Sequence, residues 1–177
     1  MLNKQHFKDK KFLDDYWQRY QKLFSSSRND LDIIKFKTSI EKTSKAKGKL
    51  IFVGNGASAS LCSHAATDFT KQAKITSIAF NDHNLITALS NDYGYENWVS
   101  KAIQYYSNEN DMLIFISVSG ESKNLINGIN YANDNSLKTA SLTGSDKKNT
   151  LKSKSDFSLW VDSKAYNIVE SIHTIWI

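Results

Sequence analysis

The stretch DMLIFISVSGESKNLINGINYA, residues 111–132, decides the fold. An apolar run over 112–116 ends in Ser117-Val118-Ser119-Gly120-Glu121-Ser122, and a helical apolar pattern then begins at once. A short apolar run without polar alternation reads as a strand buried on both faces. A helix directly after it makes a strand–turn–helix unit. The turn holds three hydroxyls and a glycine.

Outward from this stretch the same texture recurs. Strand candidates lie at 49–53, 75–80, 112–117, 139–142 and 157–161, and helical patterns separate them at 58–71, 84–90, 96–106, 122–133 and from 166 onward. Strands alternating with helices imply βαβ units, hence an α/β domain with a parallel sheet covered on both faces. Residues 1–47 read as two leading helices and 48–177 as the α/β core of one domain. In the first helix Phe7, Leu13, Tyr16, Trp17, Tyr20, Leu23 and Phe24 fall mostly at three- and four-residue intervals. The second carries Leu31, Ile33, Ile34, Phe36 and Ile40 after the cap candidates Ser27-Arg28-Asn29-Asp30. So aromatic a first helix is either packed on the core or an oligomer face, and the expectation is an oligomer face.

Composition narrows the classes. The chain has 177 residues, 40% hydrophobic and 23% charged, which is ordinary for one globular domain. No apolar run approaches the length of a membrane span, and the charged N-terminus lacks the apolar core of a secretory signal. The single cysteine, Cys62, excludes an internal disulfide and fits a reducing cytoplasm. The net charge of +5 would suit an anionic partner, but the lysines are scattered among acids. The expectation is therefore no nucleic acid and no membrane.

In an open parallel sheet, ligands bind where strands end and helices begin. Helix N-termini present unpaired N–H groups and attract phosphate, serine hydroxyls add neutral donors, and Gly120 lets the backbone come close. One serine would merely cap the helix. Three around a glycine read as a phosphate cradle. A second strand end, Val53-Gly54-Asn55-Gly56-Ala57-Ser58, repeats the theme, though it is neither a dinucleotide fingerprint nor a P-loop. In the helix after it, His64 and Asp68 stand four apart on one face, a spacing shared by solvated pairs and metal ligands alike.

These segments together resemble the sugar isomerase (SIS) domain family. GNGASASLCSHAATDF resembles the GNGGSA…H…E segment of its phosphoheptose isomerase branch, SNDYGYENW its ANDYGYE segment, and ISVSGESKN its ISTSGNSxN loop. SLTG, DFSLWVDS and NIVESIH follow in family order, so the resemblance covers essentially the whole chain.

The resemblance implies a flavodoxin-like, doubly wound five-stranded sheet and a homotetramer with sites near subunit interfaces. It further implies isomerisation of sedoheptulose 7-phosphate to D-glycero-D-manno-heptose 7-phosphate, for surface-polysaccharide heptose, often with zinc. Carried over, it assigns phosphate to Ser117, Ser119 and Ser122 and sugar hydroxyls to Asn55, Gly56, Ala57, Asn91 and Asp92, with Val118 and Ser58 also in the substrate-binding set and Ser58 able to touch a polyol or phosphate. It makes His64, Asp68 and Glu170 the metal ligands, Glu170 also a substrate contact, and Asp68 the catalytic base. Other expectations stay open beside this one: another phosphosugar as substrate, or a non-catalytic module that binds a sugar phosphate or a protein partner, as replication-initiator-associating members do.

The chain departs from the family pattern in three places. The family glutamate is Asp68, one methylene shorter. The glutamine of the terminal helix is Glu170. The family's last histidine would align one position past Ile177, where an apolar helical stripe reads as a helix still in progress. His173 is expected to pack rather than react.

Overall fold

A computed structural model of the chain describes residues 4–26 and 29–177. The five apolar runs become β1 (Leu50–Gly54), β2 (Ser77–Ala79), β3 (Met112–Ser117), β4 (Lys138–Thr143) and β5 (Phe157–Trp160) of one sheet, ordered β2-β1-β3-β4-β5. Every pairing is parallel. The helices are α1 (Lys4–Ser26), α2 (Asp30–Lys45), α3 (Ala57–Lys71), α4 (His83–Tyr93), α5 (Trp98–Tyr106), α6 (Lys123–Asp134), α7 (Thr150–Lys154) and α8 (Tyr166–Trp176).

Side chains alternate across the two central strands. Ile51, Val53, Leu113 and Phe115 pack with Trp98, Ile103, Leu125 and Ile129 on the face covered by α5 and α6. Leu50, Phe52, Met112, Ile114 and Ile116 pack with Phe36, Ile40, Cys62 and Ala65 on the face covered by α2 and α3. Both sides of β1 and β3 are thus apolar, which is why their sequences show no alternation. At the other end of these strands, buried Asp111 accepts from the Lys49 N–H at 2.8 Å and the Asn108 N–H at 2.7 Å, and pairs with the Lys49 ammonium. This clamp ties the start of β1 to that of β3.

The leading helices form as expected. Ser27 and Arg28, two of the cap candidates, lie outside the described residues. Asn29 takes the N-cap position of α2 without a side-chain cap bond. The aromatic residues of α1 divide between packed and exposed positions. Tyr16, Tyr20 and Leu23 lie against Val118, Val161, Ile168, Val169 and Ile172, and the Tyr16 hydroxyl accepts from Asn167 at 3.0 Å. Phe7, Phe12, Leu13, Trp17 and Phe24 remain exposed.

β2 is shorter than the 75–80 expected, although the Leu50 N–H reaches Thr76 and the Phe80 N–H reaches Phe52 at its two ends. Among the described residues no helix is long and apolar enough to cross a membrane.

Candidate functional site

β1 lies between β2 and β3, so the chain leaves its end toward one sheet edge through α3 and leaves the end of β3 toward the other through α6. The crevice between these two strand ends is the switch point at which open α/β sheets bind ligands. A cavity of about 280 Å³ sits there, lined by Asn55, Gly56, Ala57 and Ser58 from the first turn and by Ser117, Val118, Ser119 and Ser122 from the second. Ile116, Tyr166 and Glu170 complete its wall.

The parallel pairing of Gly54 with Ile116 puts the turns side by side. Gly56 has φ +56° and Gly120 φ +68°, a left-handed backbone that favours glycine. At Gly120 space forbids a side chain as well, because a Cβ would meet Asn149 Oδ1 at 2.1 Å. Asn149 is itself fixed. Its amide donates to Thr143 Oγ1 at 3.1 Å and to the Asp146 carbonyl at 2.8 Å, and its oxygen accepts from Lys152 N at 3.0 Å, capping α7.

Within the serine turn, Ser117 Oγ accepts from Gly120 N at 3.1 Å and Ser119 Oγ from Glu121 N at 3.2 Å. Each hydroxyl therefore spends a lone pair on the loop and keeps its proton to donate. Ser122 is the N-cap residue of α6 but makes no side-chain cap bond, so its hydroxyl is uncommitted. α6 begins directly after it, where first-turn N–H groups have no intrahelical partner. Hydroxyls, backbone N–H groups and a helix N-terminus meeting in one concave turn suit a phosphate.

Glu121 could spoil this by bringing a carboxylate to the loop. Its two oxygens instead accept from Thr150 N at 2.7 Å and Thr150 Oγ1 at 2.8 Å. Among the described residues lining the cavity, Glu170 alone is charged.

Ala57, Ser58 and Glu170 also line a second, adjoining cavity of about 480 Å³ between α3 and α8. His64 lines this outer part. Asp68 lines neither cavity, and it meets His64 with its Oδ2 3.2 Å from Nε2. The two side chains are 68% and 50% exposed in this single chain. Asn91 and Asp92 stand exposed near the end of α4, with Asn91 Nδ2 donating to Asp92 Oδ1 at 3.0 Å, away from both cavities.

The zinc expectation rested on His64, Asp68 and Glu170. Among the described residues no three His, Cys, Asp or Glu side chains gather closely enough to hold a metal ion. The donor set as placed does not fit a zinc site.

His173 lies beside the outer cavity yet is fully buried, its ring 5.8 Å from that of Trp176. Neither ring nitrogen makes a well-formed hydrogen bond, and burial drops its pKa from 6.5 to about 4, with only the Thr143 carbonyl opposing. A histidine held neutral is expected to pack, not to shuttle protons at neutral pH. It also sets a pH dependence. The unfolded chain takes up a proton near pH 6.5 and the folded chain only near 4, so the contribution is complete above 6.5 and lost as pH falls toward 4. The loss is expected to be on the order of 3 kcal/mol. Urea denaturation at pH 7 and 4.5 checks this: His173→Leu should flatten the fall seen in the parent chain, and parallel curves would refute the assignment.

Sequence reasoning did not place Ile116, Tyr166 or Asn124 at the site. Tyr166 opens α8 and borders the inner cavity, and its only signal was an aromatic residue just after the last strand. Asn124 does not line the cavity but is hydrogen-bonded to Asn55 across 69 residues of sequence, and its signal was its place as the last residue of the ISVSGESKN stretch that resembles the family loop.

Residues 13–144 match the family model of the SIS domain. A phosphoheptose isomerase of Helicobacter pylori (strain HPAG1) is 37% identical over 142 residues, covering 77% of this chain and 73% of that protein. One from Akkermansia muciniphila is 32% identical over 137 residues, covering 74% and 72%. Among solved structures, a phosphoheptose isomerase of Neisseria gonorrhoeae superposes with a TM-score of 0.87 at 22% identity, covering 94% of this chain and 93% of that one. Another from Francisella tularensis gives 0.86 at 23% identity, covering 95% and 93%.

Proposed function

The chain belongs to the SIS-domain family, in its phosphoheptose isomerase branch, and on that premise we propose that it interconverts sedoheptulose 7-phosphate and D-glycero-D-manno-heptose 7-phosphate. The observation that carries the reading is the inner cavity, where the serine turn and the glycine turn meet at the sheet's switch point. Ser117, Ser119, Ser122 and the backbone of Val118 take the phosphate. Asn55, Gly56, Ala57, Ser58 and Glu170 take sugar hydroxyls, and Asn91 and Asp92 belong to the sugar-binding set of the assembled protein.

The reaction moves a proton between C1 and C2. A base removes it from C1 of the ketose, an enediol forms, and the proton returns to C2 as the hydroxyl proton passes between the two oxygens. Binding the remote phosphate holds these carbons in register, so entropy is spent before the chemical step. Asp68 is the base. A carboxylate works best when its pKa approaches the operating pH, which calls for removal from water. Half exposed in one subunit, Asp68 gains that removal when a neighbouring subunit covers it. Base and assembly therefore belong to one proposal: a homotetramer with its sites near the subunit interfaces.

The exposed large apolar side chains of α1, Phe7, Phe12, Leu13, Trp17 and Phe24, support an interface, since so many on one helix are a liability on a monomer. Analytical ultracentrifugation at micromolar concentration should show a tetramer, and Trp17→Glu should shift it toward smaller species with a parallel loss of turnover. A monomeric parent chain would refute the assembly.

His64 and Asp68 are adjacent but Glu170 stands outside a common shell, so the placed residues offer zinc no site. Zinc is expected to leave this chain on dialysis. The anionic metabolite and the buried free thiol of Cys62 suit the cytoplasm, and heptose for surface polysaccharide is the product's destination.

The deciding experiment is a coupled isomerase assay on sedoheptulose 7-phosphate beside other ketose phosphates. Turnover of the heptose phosphate alone, or far above the rest, supports the proposal. Turnover of a different phosphosugar in its place overturns it.

A further inference from the structure

Asn55 and Asn124 form a reciprocal amide pair. Asn55 Nδ2 donates to Asn124 Oδ1 at 3.0 Å, and Asn124 Nδ2 donates back to Asn55 Oδ1 at 2.9 Å. The Tyr95 hydroxyl, from the turn between α4 and α5, donates to the same Asn55 Oδ1 at 3.3 Å. Asn55 lines the inner cavity, whereas Asn124, 2% exposed in the first turn of α6, does not.

This pattern commits three of the four hydrogen-bonding positions of Asn55. Its oxygen receives two donors and one amide hydrogen is used, so the second amide hydrogen alone remains for the cavity. Asn55 is thereby a donor only, suited to an acceptor such as a carbonyl or hydroxyl oxygen. The pair also joins the end of β1 to the start of α6, the two segments that carry the glycine turn and the serine turn.

We infer that Asn124 is a positioning residue: through its paired bonds to Asn55 it fixes both the donor that Asn55 turns toward the sugar and the distance from that donor to the phosphate cradle. The inference rests on the isomerase reading for its substrate. A structural role alone would lower stability and weaken every ligand together. A positioning role separates the phosphate end from the sugar end, because Asn124 bears on the glycine turn while the hydroxyls of Ser117, Ser119 and Ser122 stay in place.

Asn124→Leu is close in size and adds no charge beside the phosphate cradle, but it can neither donate to Asn55 Oδ1 nor accept from Asn55 Nδ2, so the Asn55 amide loses its hold. Titration calorimetry with inorganic phosphate should give an affinity within about twofold of the parent, whereas kcat/KM for sedoheptulose 7-phosphate should fall ~10-fold or more. Tyr95→Phe, at a side chain already half exposed, removes one of the two donors and should cost ~2- to 5-fold in the same direction without change in melting temperature. Either of two results overturns the inference: an unchanged kcat/KM in Asn124→Leu, or equal losses of phosphate and sugar-phosphate affinity. If Asn124→Leu does not fold, Tyr95→Phe decides, and parental affinity for the sugar phosphate then overturns the inference. A parent chain that binds phosphate but turns over no heptose phosphate fails the functional reading instead. The positioning role is then decided by the same two affinities.

Discussion

Ser119→Asp is expected to abolish measurable phosphosugar binding while leaving the fold intact. The new side chain can still accept from Glu121 N, as Ser119 Oγ does at 3.2 Å, so the turn keeps its local bond. What changes is the charge. A carboxylate enters a cavity of about 280 Å³ whose only charged lining residue, among those described, is Glu170. Two unit charges ~4 Å apart at an effective dielectric constant of ~20 repel by about 4 kcal/mol, and a phosphate dianion doubles the charge on its side. Affinity should drop by at least ~10³-fold. Ser119→Ala, by comparison, removes one neutral donor worth ~1 kcal/mol and should cost only ~5- to 10-fold. The contrast between the two substitutions is the test. Calorimetry with inorganic phosphate and with sedoheptulose 7-phosphate reads it, and thermal melting confirms that both variants fold. Unchanged affinity in Ser119→Asp would take the serine turn out of the site.

The same turn shows what was legible beforehand. β1 and β3 announced themselves because both of their faces are buried, so their apolar runs carry no alternation. The cradle was legible because left-handed glycine and capping serine are local choices, made within six residues of chain. Contacts that cross the sequence left no such mark. Asn124 closes the ISVSGESKN stretch, but its partner is not legible there, since only the parallel pairing of β1 with β3 brings it to Asn55. Asp111 reads as a turn residue, although it is buried and clamps Lys49. Glu121 reads as a threat to phosphate until α7 offers it the Thr150 N–H and hydroxyl. The aromatic periodicity of α1 showed that a stripe would be buried. It could not divide the helix into the part that α8 covers and the part left exposed, since that division depends on where α8 lies.

Asp68 is the residue for which spacing and placement pull hardest against each other, and its substitution should have the largest catalytic effect. The interval of four put it beside His64, and their side chains do meet at 3.2 Å. Yet it stands outside the cavity of the single chain. Asp68→Asn keeps the shape while removing the basic oxygen. Because the pair is well exposed, stability should change by less than about 1 kcal/mol. Substrate affinity should hold within about threefold, since phosphate supplies most of it in this reading. Turnover should fall ~10²- to 10⁴-fold, the usual worth of a positioned general base. Exchange of substrate hydrogen with deuterated solvent, followed by proton NMR, should fall in step, because it reports the C1 proton transfer apart from product release. Glu170→Gln is the paired measurement, since Glu170 borders the cavity directly. If Asp68→Asn turns over like the parent while Glu170→Gln loses exchange, the base is Glu170 and the isomerase reading survives with its proton carrier moved to α8. If the assembled tetramer loses exchange only in Asp68→Asn, a neighbouring subunit has brought the α3 carboxylate to the sugar, as the proposal requires.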